Sequence, residues 1–553
     1  MEKLLYIAVL LFTISAIGQT PAAFPEALGF GAVATGGRGG TVYVVTNTND
    51  SGTGSFREAI TSVGARIIVF DIGGRINLSS NITVSNDNFT ILGNSAPSDS
   101  GGITISGASV IFSADNFIVR YIRFRLGDNG YKDADGNVVG SNSTDEDTIR
   151  VGAANNFIFD HCEFMWSIDE NFSINSGGVG TSDGTLQNSI VAEGLAASHH
   201  QEGSHSMATL AMINTERFTY ARNYFLHHSE RHPRIRENNS FEFINNVTLG
   251  FRYGSIITGG CQFQIVNNHY KESSFYSIVQ ANLVNRTGSG VETEQAYISG
   301  NTWDTTTSVS EHGSFTEVGS PTVDSGITPL TAAQAIDTVL AHAGSRYPLY
   351  DSHSSRVIGE FTTETRGTVD TQEQVGGFNT PATGTSWTDT DSDGMDDTLE
   401  NSKFGDLTQT ATGDFDSDGY NNIEDMYNDL VSETPTTVNV TSVSVAPASA
   451  TISEGETTQL IATVLPTDAT DKSGVWSSAT PADATVSASG LVSWVSDGSS
   501  IITFTTNDGS FTDTSTITTS ATPAGSDANI LRVGKIRFGS GKGGAYLGTT
   551  KIN

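Results

Sequence analysis

Cysteine is nearly absent. Cys162 and Cys261 are the only two in 553 residues. That is too few for a disulfide framework, and their strand-like apolar surroundings suit two buried thiols as well as one bridge. No long apolar run follows the first 14 residues, so no membrane span is expected. Basic residues are scarce: 28 Lys and Arg stand against 61 Asp and Glu, for a net charge of −33. The only basic segment of note is a short C-terminal tail, so no nucleic-acid partner is expected. Helical periodicity is also rare in the first 380 residues. The length implies more than one domain.

The chain begins as a secretory leader over residues 1–18. Lys3 is followed by an apolar stretch from Leu4 to Ile14 and by small residues at Ser15-Ala16-Ile17-Gly18, with cleavage expected before Gln19. No cysteine follows to carry a lipid anchor. The expected location is secreted, extracellular or periplasmic. Residues 19–385 contain short runs rich in Ile, Val and Phe. Phe117-Ile118-Val119-Arg120-Tyr121-Ile122-Arg123-Phe124 and Phe157-Ile158-Phe159-Asp160-His161-Cys162-Glu163-Phe164 share one pattern. Aligning such runs gives a column of Cys162, Asn188, Asn223, Asn246, Asn268 and Asn301, with steps of 26, 35, 23, 22 and 33 residues. The shorter steps suit one coil of a three-sided solenoid and the longer ones a coil with an inserted loop. The expected fold is all-β, a right-handed parallel β-helix. Stacked coils place like residues one above another, so a column of inward asparagines can form a hydrogen-bonded ladder.

Residues 386–432 hold two acidic loops. Asp389, Asp391 and Asp393 alternate, Gly394 is sixth and Glu400 twelfth; Asp414, Asp416, Asp418, Gly419 and Asp425 repeat the spacing. Alternate carboxylates can converge on one ion, and the glycine allows the sharp turn, as in an EF-hand-type loop. The segment resembles dockerin and thrombospondin type 3 calcium loops, and a structural role is expected. Residues 381–435 contain 14 acids and one base, so much of the negative charge sits away from the solenoid. Residues 438–521 alternate as a β-sandwich and resemble bacterial immunoglobulin-like group 2 modules, through Val443-Ser444-Val445-Ala446-Pro447 and Val475-Trp476-Ser477-Ser478. Residues 522–553 form an unassigned basic tail.

The chemistry concentrates in Arg231-His232-Pro233-Arg234-Ile235-Arg236, three guanidiniums in six residues. Upstream lie Asp145-Glu146-Asp147, Asp160-His161-Cys162 and Asp169-Glu170. Carboxylates able to hold a hard cation, followed by rigidly presented arginines, suit a polyanionic substrate. With Gly29-Phe30-Gly31-Ala32, Gly54-Ser55-Phe56-Arg57-Glu58-Ala59 and Ala192-Glu193-Gly194-Leu195, this region resembles family 1 polysaccharide lyases, the pectate lyases. The resemblance runs from Ala23 to about Trp303. It implies Ca2+-dependent β-elimination in polygalacturonate or pectin by a monomer. It also implies Asp147 and Asp169 as calcium ligands, with Asp145 and Glu170 beside them, Arg231 as base, and Arg236 gripping a substrate carboxylate. Arg234 is expected in a supporting, substrate-side position. An arginine base implies an alkaline optimum, because guanidinium normally keeps its proton far above neutral pH.

Two departures stand out. Ser173 occupies a position where the family often has a further aspartate. No lysine occurs between Lys132 and Lys271, although members commonly carry one in the cleft. A related position holds Glu202, and Arg222, Arg252 or a histidine such as His200 could substitute. His199, His200 and His205 could instead form a transition-metal site. Competing readings are a non-catalytic pectin-binding or adhesion protein, a lyase for another uronate polymer, and a β-helical hydrolase with paired carboxylates.

Overall fold

Strands of two to seven residues, separated by tight corners, build most of the first unit. The structure is a computed structural model. It describes residues 21–128, 145–198, 200, 202–236, 239–250, 255–257, 260–273, 281–286, 295–304, 309–312, 316–431, 440–465, 469 and 472–520. The expected leader, the basic tail, His199 and Arg252 lie outside these residues. The chain divides into two compact units, Met1–Ser432 and Glu433–Asn553.

In the first unit, every third strand joins the same parallel sheet. Among the described residues, one sheet has 11 strands and runs from Thr41–Val45 to Thr316–Glu317. Two sheets of nine run from Gly74–Asn77 to Thr302–Asp304 and from Ile82–Val84 to Val309–His312. Each coil gives one strand to each sheet, which is a parallel β-helix. Register stacks like on like: Phe89, Phe117 and Phe157 lie in one row, with ring centroids 4.9 and 5.1 Å apart. Gly184 continues that row because a Cβ there would come 2.3 Å from the Phe157 ring and 2.6 Å from that of Phe218.

The inward ladder exists, with one correction. Its members are Cys162, Ser189, Asn223, Asn246, Asn268 and Asn301, each backbone N–H donating to the next side-chain oxygen at 2.7–3.0 Å. Asn188 stands one place earlier, at the outer corner. That corner is left-handed in successive coils: Tyr121, His161, Asn188, Arg222, Asn245 and Asn267 all have φ between 46° and 58°. A corner of two polar residues hides its register from sequence, because either can be the inward one. Cys162 and Cys261 are both free thiols.

Two C-terminal helices cover the second sheet: α1 (Ala332–His342) and α2 (Ser352–Thr363). Val339, Ala343 and Val357 pack on Ile190, Tyr224 and Val247. Beside them Arg125 is fully buried between Glu163 and Asp351, at 2.7 and 2.5 Å, and Arg356 grips Glu193 at 2.6 Å. The acidic segment packs on the first sheet. Its α3 (Asp397–Phe404) and α4 (Asn422–Val431) carry Leu399, Phe404, Ile423 and Met426, which with Met395 cover Val44, Ile67, Val69 and Leu92. The second unit forms small β-sheets around Val445, Ile452, Val492, Ile502 and Ile517. No helix among the described residues is long and apolar enough to cross a membrane.

Candidate active site

Chain residues just before strands of the third sheet converge on one patch. Asp147 precedes Ile149–Val151, Asp169 precedes Glu170–Ile174, His205 precedes Met207–Ala211 and Arg231 precedes Arg234–Ile235. These strands pair in sequence, Arg150 with Ser173, Ser173 with Leu210 and Leu210 with Arg234. Residues 84 positions apart are therefore brought onto neighbouring coils.

Asp147, Asp169 and Glu170 each offer a carboxylate oxygen within 4.8 Å of the others. Asp147 is buried, and accepts from the Glu170 N–H at 3.1 Å and from Ser173 Oγ at 2.5 Å. Burial, opposed by the Ser173 hydrogen bond and aided by the Asp169 charge, pushes its carboxyl up to about 8. Asp169 goes the other way. Burial raises it, but the His205 Nε2 hydrogen bond at 2.7 Å and the Arg231 charge outweigh that and lower it. Arg231 Nη1 lies 3.6 Å from Asp169 Oδ1 and also contacts Glu170 Oε1. Its backbone is left-handed, φ 71°, while its carbonyl accepts from Thr209 N–H at 2.9 Å. Chiral sterics make that conformation cost about 1–2 kcal/mol for a side chain with Cβ. The sheet holds it, and the guanidinium reaches back to the carboxylates. Burial first, then the nearby Arg234 and Arg236 charges, lower the Arg231 guanidinium to about 10, against the pull of Asp169 and Asp147.

"Probable pectate lyase C" of Aspergillus flavus is 34% identical over 432 residues, covering 74% of this chain and 94% of that protein. "Probable pectate lyase C" of Neosartorya fischeri is 35% identical over 453 residues, covering 77% and 99%. The chain belongs to the pectate lyase family. It is a polysaccharide lyase. Residues 439–517 match the bacterial Ig-like domain (group 2). A solved pectate lyase bound to hexasaccharide overlays with a TM-score of 0.44 at 16% identity, covering 61% of this chain and 100% of that one.

Within this lyase the expected site residues divide. Asp147, Asp169, Glu170 and Arg231 meet, and Arg234 and Arg236 lie close enough for their charges to act on Arg231. Asp145 is exposed and stands outside the triad, 3.5 Å from His200 Nε2. His200 is buried and stacks on His205 with ring centroids 3.7 Å apart, so it supports the carboxylates and does not present itself to substrate. Its Nδ1 accepts from the Glu202 N–H at 3.2 Å, and its Nε2 faces Asp145 and Asp169 at 3.5 and 3.7 Å. Asp169, His200 and His205 each offer a ligand atom within 4.8 Å of the others, so two of the three histidines expected to form a metal site do come together, with Asp169 beside them. Arg222 is a correction: it sits at the left-handed corner between the other two sheets, where its charge acts on His342 of α1. His161 stacks on Tyr121 at 4.8 Å and pairs with Asp160 at 2.9 Å, a structural role. His205 was missed as the partner of Asp169, and only strand register reveals it.

The acidic loops each gather three aspartates, Asp389 with Asp391 and Asp393, and Asp414 with Asp416 and Asp418. Gly394 and Gly419 turn with φ 95° and 97°. Glu400 is fully buried with both carboxylate oxygens unpartnered, and Asp425 is buried with Oδ2 unpartnered. Burial, then the loop aspartates, raise Glu400 to about 7. Burial, then Asp418, raises Asp425 to about 7. Buried carboxylates without a donor call for a cation.

Proposed function

We propose that this chain is a secreted, Ca2+-dependent pectate lyase that cleaves polygalacturonate by β-elimination, leaving 4,5-unsaturated oligogalacturonides. The observation that carries the reading is the Arg231 guanidinium 3.6 Å from Asp169 on the face that holds Asp147 and Glu170. An all-oxygen set of carboxylates suits Ca2+, and Asp147, Asp169 and Glu170 would hold it. Bound there, it supplies positive charge that stabilises the negative charge developing on a substrate carboxylate. Arg231, in its neutral form, takes the C5 proton. The C5–H electron pair becomes the C4=C5 double bond, the C4–O bond breaks, and the leaving oxygen takes a proton from solvent, which Arg231 restores when it releases the C5 proton. No water is consumed. Arg236 and Arg234 grip substrate carboxylates and keep the ring in place. Asp389, Asp391, Asp393 and Glu400, with Asp414, Asp416, Asp418 and Asp425, hold structural Ca2+. The chain acts as a monomer after export by the leader at residues 1–18.

The test is ultraviolet absorbance of the unsaturated product during incubation with polygalacturonate. A rise with Ca2+ that chelator abolishes supports the proposal. Flat absorbance with Ca2+ present removes it.

A further inference from the structure

One outward row of the cleft sheet runs Ile111, Arg150, Ser173, Leu210, Arg234 and Ile256 on consecutive coils. Its flanking residues Ile149, Val151, Phe172 and Ile174 are buried core, so this row faces the cleft. Arg234 already lies beside the base. Arg150 has had no role. It is half-buried, its charge acts on Asp147, and among the described residues it makes no hydrogen bond or ion pair within 4.0 Å. A half-buried guanidinium whose donors make no hydrogen bond is placed to take an anion. Ser173, next to it in the row, donates to Asp147 Oδ2, so Arg150 borders the carboxylate triad on the side away from Arg231. Three strand steps separate Arg150 from Arg234, about 14 Å at the usual strand spacing. That is longer than one sugar. At the Arg150 end lies a hollow of about 450 Å3 lined by Ile111, Ser113, Asn175 and Ser176, with polar groups suited to hydroxyls.

We propose that Arg150 binds the free carboxylate of a uronate residue neighbouring the one that reacts, with that sugar seated in this hollow. Arg150 thereby favours de-esterified over methyl-esterified polymer at this subsite. The proposal rests on the lyase reading above. Methylation removes the charge that a bidentate guanidinium recognises, so the preference follows from the chemistry of the pair.

The experiment uses the full chain with Arg150→Gln and Arg150→Lys, on polygalacturonate and on highly methyl-esterified pectin. Arg150→Gln should raise KM for polygalacturonate roughly ten- to hundredfold with kcat within about threefold, the signature of lost uniform binding. Arg150→Lys should recover most of that loss. On esterified pectin the Gln variant and the unaltered protein should differ by less than about threefold. An unchanged KM, or a fall in kcat alone, overturns the proposal. Calorimetry with tetragalacturonate in the Arg231→Lys background separates the two readings, because it needs no turnover. Weaker binding on adding Arg150→Gln supports the subsite even for a protein that yields no unsaturated product, and equal binding refutes it. Melting curves of each variant show that folded protein is being compared.

Discussion

Replacement of Arg231 is the sharpest single-residue experiment on this cleft. Arg231→Lys keeps the charge but loses the planar fork and its placement. We expect kcat to fall roughly 10²–10⁴-fold, as for loss of a proton-transfer group, while tetragalacturonate binding stays within about tenfold. The pH profile follows from sign. Only the deprotonated guanidine accepts a proton, and burial lowers this group to about 10. The rate should therefore rise with pH from neutrality and level off near 10; a profile that falls over that range contradicts the base assignment. Arg231, Asp147 and Asp169 were legible because motif order along a repeating chain fixes which coil each belongs to. Arg150 was not, since a lone arginine in a three-residue strand carries no motif. Arg222 was misplaced because charge alone does not say which corner of the triangle a residue turns.

At the scale of elements, the solenoid was readable from its repeats, and the ladder can be tested directly. Asn246 donates to Tyr220 O at 2.9 Å while its Oδ1 accepts from the Asn223 N–H at 2.9 Å, all buried. Asn246→Ala leaves those groups unpaired and should cost about 1–3 kcal/mol or more in chemical denaturation. The helices that cover the second sheet were not foreseen, because α1 and α2 are short and their apolar faces are intelligible only against the strands they cover. Their acid response can be derived. Burial raises Glu360, but the His227 ring 3.9 Å away and the hydrogen bonds from Thr365 outweigh it and lower the group to about 2. Asp351 is lowered likewise, burial being outweighed by Arg125, and Glu193 by Arg356. Carboxylates depressed in the folded state contribute stability that is full above their unfolded values, near 4, and is lost as pH falls towards 2. Hydrogen exchange should show α2 loosening over that range before the coils beneath it. Equal loosening of both would count against these ion pairs as the fasteners.

The whole molecule carries a strong negative charge yet presents arginines where substrate would lie, so the local field of the cleft matters more than the total. The acidic loops gather their aspartates over the first sheet, away from the cleft sheet. Calcium at a hundredfold its Kd would stabilise a single site by about 2.7 kcal/mol. Glu400→Gln should remove much of the Ca2+-dependent rise in Tm while leaving kcat at saturating Ca2+ within about twofold; an unaltered Ca2+ response would mean that the first loop holds no ion. The bacterial Ig-like match, residues 439–517, falls within the C-terminal unit. What decides the central claim is the covalent outcome at the cut glycosidic bond. Mass spectrometry of oligomers released from polygalacturonate with Ca2+ reads it directly. We expect each new non-reducing end to be lighter by one water than the hydrolytic product, and to vanish in Arg231→Lys. Fully hydrated ends, or intact polymer, would contradict elimination at this site.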